Sequence, residues 1–252
     1  QGLITNLDRL NGKLDQKNTL VSMDALARRW HQHHQFKASS GLCLAIVASS
    51  ASELEQHIAE AKRLVAANEA QQIKGRGGVG FSPKPVGIGG KVAFVFPGSG
   101  NHFIGMGRTL NVVWPEVVRE MHCETQNLKA QLRSRFFVPH GSAWDSNWET
   151  KAYHAILSNP VHAIFGQVIY GCIVTRLLKR FGIMPGGVIG YSLGESAGLF
   201  AMGVWTDREK MLKRMQQSDL FSNQLAGDCL SLRKAWQIAA KEPFVWRVAA
   251  VN

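Results

Sequence analysis

Cysteine is scarce in this sequence. The 252 residues include only Cys43, Cys123, Cys172 and Cys229, which lie far apart and form no C-x-x-C pair. This spacing favours neither a disulfide framework nor a zinc site, so we expect no bound metal, and a reducing cytoplasm fits best.

Acidic residues are also few, with 18 Asp and Glu against 29 Lys and Arg and a formal charge of +11. Such a surface attracts polyanions. However, the basic residues are scattered, and no helix-turn-helix, RNA-binding or zinc-finger pattern accompanies them, so nucleic acid is not an expected partner. An acidic protein partner or a phosphate-bearing thioester explains the charge as well, and so does a piece of a longer, more neutral chain.

Long apolar runs are missing. The longest clean run, Leu42 to Ala48, is far shorter than the roughly 20 residues that cross a bilayer, and Glu195 interrupts the apolar stretch 186–205. The first residues also lack the apolar segment of a signal peptide. We therefore expect a cytoplasmic protein with no membrane partner.

Apolar residues make up 45% of the chain, enough for a packed core. Residues 1–74 are predicted to form a small α/β domain, with an amphipathic helix from about Leu20, a strand at 42–48 and a helix from the capping box Ser50–Glu53 to about Asn68. Residues 75–90 hold seven glycines and two prolines, which predicts a loop or connector.

From Lys91 onward, strands alternate with helices. This alternation predicts a parallel sheet with helices on its faces, and no internal repeat is present. The predicted elements are a strand at 91–96, a helix at 161–181, a short strand at 188–189, a helix at about 193–202, and a helix capped by 206–209 that runs beyond Gln217.

The segment Gly190-Tyr191-Ser192-Leu193-Gly194 fits the G-x-S-x-G pattern of a nucleophile elbow. In such an elbow the serine occupies a strained turn between a strand and a helix, and small flanking residues let the turn pack closely. Ser192 is therefore the candidate nucleophile, and the Leu193 amide is a candidate oxyanion donor. Taken alone, the pattern also fits a purely structural turn.

A second glycine-rich turn follows the strand at 91–96, in the sequence Pro97-Gly98-Ser99-Gly100, with Gly105-Met106-Gly107 shortly after it. Such a loop allows close backbone approach and offers a free amide, which is the second half of an oxyanion hole. Without a partner motif it fits any strand-to-helix turn.

Three other patterns carry less weight. Gly75, Gly77 and Gly80 satisfy G-x-G-x-x-G, but they follow a helix instead of a strand, which disfavours dinucleotide binding. Nearby, His31, His33 and His34 have no carboxylate or cysteine at ligand spacing, so solvated histidines are favoured over a metal site. Finally, His102 lies next to the glycine-rich turn and is a weak candidate for the base that deprotonates Ser192.

The segments FVFPGSGNHFIGMG (94–107) and VIGYSLGESAGLFAMGVW (188–205) together resemble the acyltransferase domains of fatty-acid and polyketide synthases. Residues 25–61 look like the small linker domain that joins a ketosynthase to such an acyltransferase, and 248–252 resemble the start of its ferredoxin-like subdomain. Within the family, the tyrosine at position 191 and the serine at position 99 make the sequence look most like the acyltransferase-bearing subunit of bacterial polyunsaturated-fatty-acid synthases.

The resemblance implies a parallel-sheet, hydrolase-like α/β core over 91–252, forming the N-terminal part of the acyltransferase domain and preceded by the linker domain, with the ferredoxin-like subdomain truncated. Ser192 would be the acylated residue, with the amides of Leu193 and Ser99 as the oxyanion hole. Ser99 stands where the family has glutamine, and Asn159-Pro160 where Gln-Pro is common. The family's catalytic histidine lies further downstream than this sequence reaches.

Two residues are expected, again by resemblance, to shape the substrate site. Tyr191 replaces the family's usual histidine beside the nucleophile. Gln217 falls, counting from Ser192 without a gap, at the position of the arginine that holds the carboxylate in malonyl-specific relatives. Arg214 lies three residues earlier on the same predicted helix and is able to bind the substrate carboxylate in place of that arginine.

The implied function is transfer of an acyl group from a CoA or carrier-protein thioester, through an acyl-serine, to the phosphopantetheine of an acyl carrier protein. The partners would be that carrier protein and other synthase domains, and no cofactor would be bound. Two alternatives stay open, a thioesterase or lipase that uses water as acceptor and a non-catalytic docking domain.

Overall fold

A computed structural model of the chain describes residues 2–14, 22–34, 41–71, 78–87, 89–137, 146–225, 227–239 and 242–243. The chain divides into two compact units, residues 1–90 and residues 91–252. The predicted start of a ferredoxin-like subdomain, residues 248–252, lies outside the described residues.

The first unit packs helices against a two-stranded antiparallel sheet. Its elements are α1 (Gly2–Leu14), α2 (Met23–His33), β1 (Cys43–Val47), α3 (Ala51–Ala67) and β2 (Gly78–Ser82). In the sheet, Ala45 of β1 lies opposite Gly80 of β2. The core is apolar and consists of Leu7, Leu10, Leu54, Ile58, Ala61, Leu64, Val79 and Phe81.

The start of α3 follows the predicted capping chemistry, with one change. The Ser50 hydroxyl accepts a hydrogen bond from the Glu53 amide at 3.2 Å. The Glu53 carboxylate, however, accepts from the amide and hydroxyl of Ser49 and not from the Ser50 amide. These hydrogen bonds from Ser49 lower the pKa of Glu53.

The loop predicted for 75–90 is wrong at Gly78–Ser82, which form β2. Within β2, Val79 and Phe81 are 2% and 3% exposed, whereas the residues on either side are half-buried. This alternation is the mark of a strand with one buried face, and the high glycine content of the segment hid it. Gly80 of the G-x-G-x-x-G pattern is thus a strand residue.

The second unit contains the remaining elements. Its strands are β3 (Val92–Phe96) and β4 (Pro185–Gly190). Its helices are α4 (Arg108–Val113), α5 (Pro115–Cys123), α6 (Leu128–Leu132), α7 (Ser134–Phe137), α8 (Trp148–Leu157), α9 (Pro160–Arg180), α10 (Leu193–Ala201), α11 (Arg208–Gln217) and α12 (Leu230–Trp236), with a π-helical turn at Leu220–Gln224.

Strands β3 and β4 pair in parallel, with Phe94 opposite Val188 and Phe96 opposite Gly190. Helix α10 packs against both strands and against α9, and Phe94 and Phe96 are buried in the core that the sheet shares with these two helices. The predicted parallel α/β core is therefore confirmed. Because β3 and β4 are parallel neighbours, their carboxyl ends meet at one edge.

Helix α9 is the central helix of this unit. Among the described helices, it is long and apolar enough to cross a membrane by length and composition. Its apolar residues are accounted for by the core, because Phe165, Val168, Ile169 and Ile173 are at most 1% exposed. At its C-terminal end, Arg176 and Arg180 form ion pairs with glutamates of α5 and of the turn that follows α5.

Helix α11 is shorter than predicted. Its N-cap is Asp207 and not Thr206, because the Asp207 carboxylate accepts a hydrogen bond from the Lys210 amide at 2.8 Å. The helix ends at Gln217, since Ser218 is extended with ψ at 134°. Gln217 is therefore the last residue of α11, and the prediction that the helix continues beyond it is wrong.

Candidate active site

Ser192 lies in the turn between β4 and α10, at the carboxyl end of the sheet. Its backbone has φ 54° and ψ −117°, a region that non-glycine residues rarely occupy and that stores strain of about 1–3 kcal/mol. Its side chain is exposed and does not cap α10. The strained turn expected at this serine is therefore present.

The glycines on either side of Ser192 are required by close backbone contacts. A β-carbon at Gly190 would lie 2.4 Å from the Glu195 nitrogen, and one at Gly194 would lie 2.0 Å from the Phe96 carbonyl oxygen. Real β-carbons essentially never come within 3.0 Å of such atoms, so an added β-carbon at either position would force the backbone to shift. The G-x-S-x-G spacing is therefore a packing requirement of this turn.

The glycine-rich loop after β3 lies against this turn. The Tyr191 amide donates to the Phe96 carbonyl oxygen at 3.2 Å, which extends the β3–β4 pairing by one bond. A β-carbon at Gly98 would lie 2.8 Å from Cδ1 of Tyr191, so the tyrosine ring is in contact with the loop. Tyr191 itself is 77% exposed. The predicted elbow and the predicted oxyanion loop are thus neighbours.

The two amides predicted to stabilise an oxyanion both lie at this edge of the sheet. The amides of Leu193 and Ser99 have no hydrogen-bond acceptor among the residues that the structure describes. For Leu193 the reason is its place at the start of α10, where amides lack an intrahelical acceptor. Free amides on both sides of a serine turn suit the stabilisation of a developing oxyanion.

Gln167 of α9 also belongs to this site, although sequence reasoning missed it. Its side-chain amide is only 8% exposed and donates from Nε2 to the carbonyl oxygens of Pro97, at 2.7 Å, and of Gly98. The available signal was a single amide side chain within an otherwise apolar stretch of a core helix, because such a group needs a buried partner.

His102 is not positioned as a base for Ser192. Its ring stacks on Tyr153 with centroids 6.0 Å apart and meets the edge of Phe137. Neither ring nitrogen has a hydrogen-bond partner among the described residues, and burial lowers its pKa. An open pocket of about 620 Å³ lies beside these rings, lined in part by Arg108. Of the described residues, none is hydrogen-bonded to the Ser192 hydroxyl.

Gln217 and Arg214 both have exposed side chains on the last turn of α11. Their expected role toward a substrate carboxylate stays a prediction. In the first unit, Nδ1 of His33 and of His34 bonds backbone carbonyls of α2, and the His34 ring stacks on Trp30. These contacts are those of structural histidines.

The arrangement of a parallel sheet, a strained serine turn and an adjoining glycine-rich loop defines a hydrolase-like acyltransferase fold. In agreement with this, the chain superposes on the acyl transferase domain of ZmaA with a TM-score of 0.58. The sequences are 22% identical, and the match covers 85% of this chain and 45% of that one. The predicted fold class is confirmed.

Two proteins that are related in sequence have names that agree with this fold. The chain is 33% identical over 113 residues to a malonyl CoA-acyl carrier protein transacylase of Bacillus subtilis (strain 168), covering 45% of this chain and 32% of the relative. It is 29% identical over 145 residues to the conidial yellow pigment biosynthesis polyketide synthase melA of Penicillium expansum, covering 58% of this chain and 6% of the synthase. No family model matches the chain. By the shares given above, the chain spans a third or less of the length of the two relatives.

Proposed function

We propose that residues 91–252 form part of an acyltransferase in which Ser192 carries the acyl group. The observation that carries this proposal is the serine turn itself, in which an exposed hydroxyl lies on a strained backbone and the amides of Leu193 and Ser99 have no acceptor among the described residues. The similarity to a malonyl CoA-acyl carrier protein transacylase and to polyketide synthases supports acyl transfer over other reactions of the same fold.

The proposed reaction is a transfer in two steps through an acyl-serine. Ser192 Oγ attacks the thioester carbonyl carbon, a C–O bond forms, and the negative charge on the carbonyl oxygen is stabilised by the amides of Leu193 and Ser99. When the carbonyl reforms, the C–S bond breaks, and the thiol leaves with the proton that the serine has lost. A second thiol, on the phosphopantetheine of an acyl carrier protein, then attacks the acyl-serine and restores Ser192.

The base that accepts the serine proton is the histidine that the family resemblance places downstream. His102 is unsuited to the role, because its ring stacks on Tyr153 and neither ring nitrogen is hydrogen-bonded to Ser192 or to any other described residue. Burial also lowers its pKa, which disfavours the imidazolium that proton transfer from the serine would form. No cofactor takes part in this scheme, since the thioester itself supplies the activated acyl group.

The partners we propose are an acyl carrier protein and other domains of a fatty-acid or polyketide synthase. The formal charge of +11 favours an acidic carrier or the phosphate of its prosthetic group. We also propose a cytoplasmic location, because four scattered cysteines favour no disulfide framework. We assign residues 1–74 to the linker domain that joins a ketosynthase to an acyltransferase. We further propose that the protein is the acyltransferase-bearing subunit of a polyunsaturated-fatty-acid synthase.

A labelling experiment tests the nucleophile. Wild type, Ser192→Ala and Ser196→Ala, each in a protein that includes the downstream histidine, would be incubated with a tagged alkyl fluorophosphonate and, separately, with a radiolabelled acyl-CoA. We expect both labels on wild type and on Ser196→Ala, whose hydroxyl lies one turn further along α10, and neither on Ser192→Ala. Circular dichroism checks that the variants are folded. Label retained on Ser192→Ala would refute the assignment, and an unlabelled wild type would favour a non-catalytic docking domain.

A hydrolase is the second candidate, because the same serine turn also serves thioesterases. Product analysis after loading of Ser192 separates the two, with and without an acyl carrier protein that bears phosphopantetheine. Acyl-carrier product formed faster than free acid supports transfer. Free acid formed at the same rate in both mixtures would instead identify a thioesterase.

A further inference from the structure

Gln167 is a polar side chain in the apolar core, and its hydrogen bonds are not needed to fill that core. Residues 165–170 of α9 are buried, and Gln167 is the amide among them, 8% exposed. Its Nε2 donates to the Pro97 carbonyl oxygen at 2.7 Å and to the Gly98 carbonyl oxygen. The orientation of the amide is fixed by these contacts, because a flipped group would place Oε1 against two carbonyl oxygens.

The bond to Gly98 determines where the next amide points. In a trans peptide, the carbonyl oxygen and the following N–H point in opposite directions, and the described residues contain no cis peptide bond. The Gly98 oxygen is held by Gln167 and also by Nδ2 of Asn101, at 3.0 Å. The Ser99 N–H therefore points away from the buried amide of α9.

We propose that Gln167 is a positioning residue of the oxyanion hole, which fixes the Gly98–Ser99 peptide so that the Ser99 N–H faces the reacting carbonyl. This inference rests on the proposed acyl transfer at Ser192. Gln167 touches no substrate atom and acts through the loop. Its second bond, to Pro97, holds the loop where it meets the serine turn, since a β-carbon at Gly194 would lie 2.9 Å from the same Pro97 oxygen.

The other end of the same side chain supports this role. Gln167 Oε1 is buried and has no hydrogen-bond partner among the described residues. An unpaired buried acceptor is unfavourable, and an apolar side chain of similar length would avoid that cost. A glutamine is therefore explained by the two bonds that its Nε2 makes to the loop.

The test compares two buried glutamines of the same unit. Gln167→Met keeps the length of the side chain and removes the donor, whereas Gln131→Met removes a buried amide that bonds Thr125 and Arg208 away from the loop. Phosphonylation of Ser192 by an alkyl fluorophosphonate would be followed to saturation, which gives the maximal rate and the half-saturating concentration separately. Thermal melting of each variant is recorded alongside.

We expect Gln167→Met to lower the maximal rate by about 10- to 100-fold, below the 10²–10³-fold loss seen when an oxyanion donor is removed outright, with little change in half-saturation. Gln131→Met should melt earlier and react at the wild-type rate. A Gln167→Met variant that reacts at the wild-type rate, or that is slowed no more than Gln131→Met, overturns the inference. An unlabelled wild type overturns the proposed function instead.

Two further variants keep the inference testable if Gln167→Met does not fold. Asn101→Ala removes the other, exposed donor to Gly98 and should lower the maximal rate by a smaller factor. Gln167→Glu should react increasingly well relative to wild type as the pH falls, because a neutral carboxylic acid donates one hydrogen bond and a carboxylate donates none. A rate ratio that does not change with pH contradicts a donor role.

Discussion

Gly194→Ala tests the packing on which the serine turn depends. The added β-carbon would lie 2.0 Å from the Phe96 carbonyl oxygen, 2.7 Å from the Phe96 carbonyl carbon and 2.9 Å from the Pro97 oxygen. All three are backbone atoms, and the Phe96 oxygen already accepts the Tyr191 amide. Relief therefore requires α10 or the loop to move, and either movement displaces the Leu193 or Ser99 amide.

The expected loss of stability follows from two opposing terms. Overpacking a core costs about 1–3 kcal/mol and occasionally more, whereas replacing glycine by alanine within a helix gains up to about 1 kcal/mol. Because the backbone contact would be as short as 2.0 Å, we expect a cost near the upper end of that range. The net loss in the free energy of unfolding should then be about 2 kcal/mol or more. For a protein of this size, each kcal/mol lowers the melting temperature by about 2–4 °C.

Two other helical glycines provide matched controls. A β-carbon at Gly198 would lie 3.0 Å from Cγ1 of Val188, and one at Gly171 would lie no closer than 3.4 Å to the Phe96 ring. We expect Gly198→Ala to be near neutral and Gly171→Ala to be neutral or slightly stabilising. Thermal melting and fluorophosphonate labelling are measured on all three. A Gly194→Ala variant that melts and labels like Gly171→Ala would refute the packing argument.

Two further predictions concern charge. Although burial opposes it, hydrogen bonds from Arg176 and Arg208 lower the pKa of Glu124, so the stability that this carboxylate contributes is full above the ordinary carboxyl range and is lost as the pH falls through the lowered pKa. The free energies of urea unfolding of wild type and Glu124→Gln should therefore differ at pH 7, and the difference should shrink as the pH falls through the lowered pKa of Glu124. Gln217 cannot form a bidentate, charge-assisted pair with a carboxylate. The acyl group of an uncharged acyl-CoA should therefore load onto Ser192 about 10- to 100-fold faster than that of malonyl-CoA. In Gln217→Arg the difference between these two rates should be smaller. Faster malonyl loading by wild type would contradict this.

The central elements of the second unit could be predicted because their signals are local. Apolar runs with glycine or proline at their ends predict β3, β4, α9 and α10 to within a few residues. The spacing of Gly190, Ser192 and Gly194 predicts the turn, since each residue has a requirement set by its immediate backbone. Local rules therefore find the serine and both glycines.

The short helices between Arg108 and Leu157 could not be predicted in the same way. Helices α4 to α8 have four to ten residues each, and helices this short are marginal without tertiary packing. Their stability comes from residues such as Val117 and Met121, which are fully buried against the core. For β2 the error was the reverse, because glycine-rich composition suggested a loop where pairing with β1 stabilises a strand.

Gln167 shows why half of the proposed oxyanion hole is hidden from motif analysis. The Pro97 and Gly98 carbonyls that it binds lie 70 and 69 residues away along the chain, so no spacing rule connects them. The loop contacts α9 through Gln167 and the serine turn at Gly194, and the amides proposed to form the oxyanion hole belong to the residues directly after Gly98 and directly before Gly194. The glycine of the motif and the glutamine outside it therefore constrain the same loop backbone.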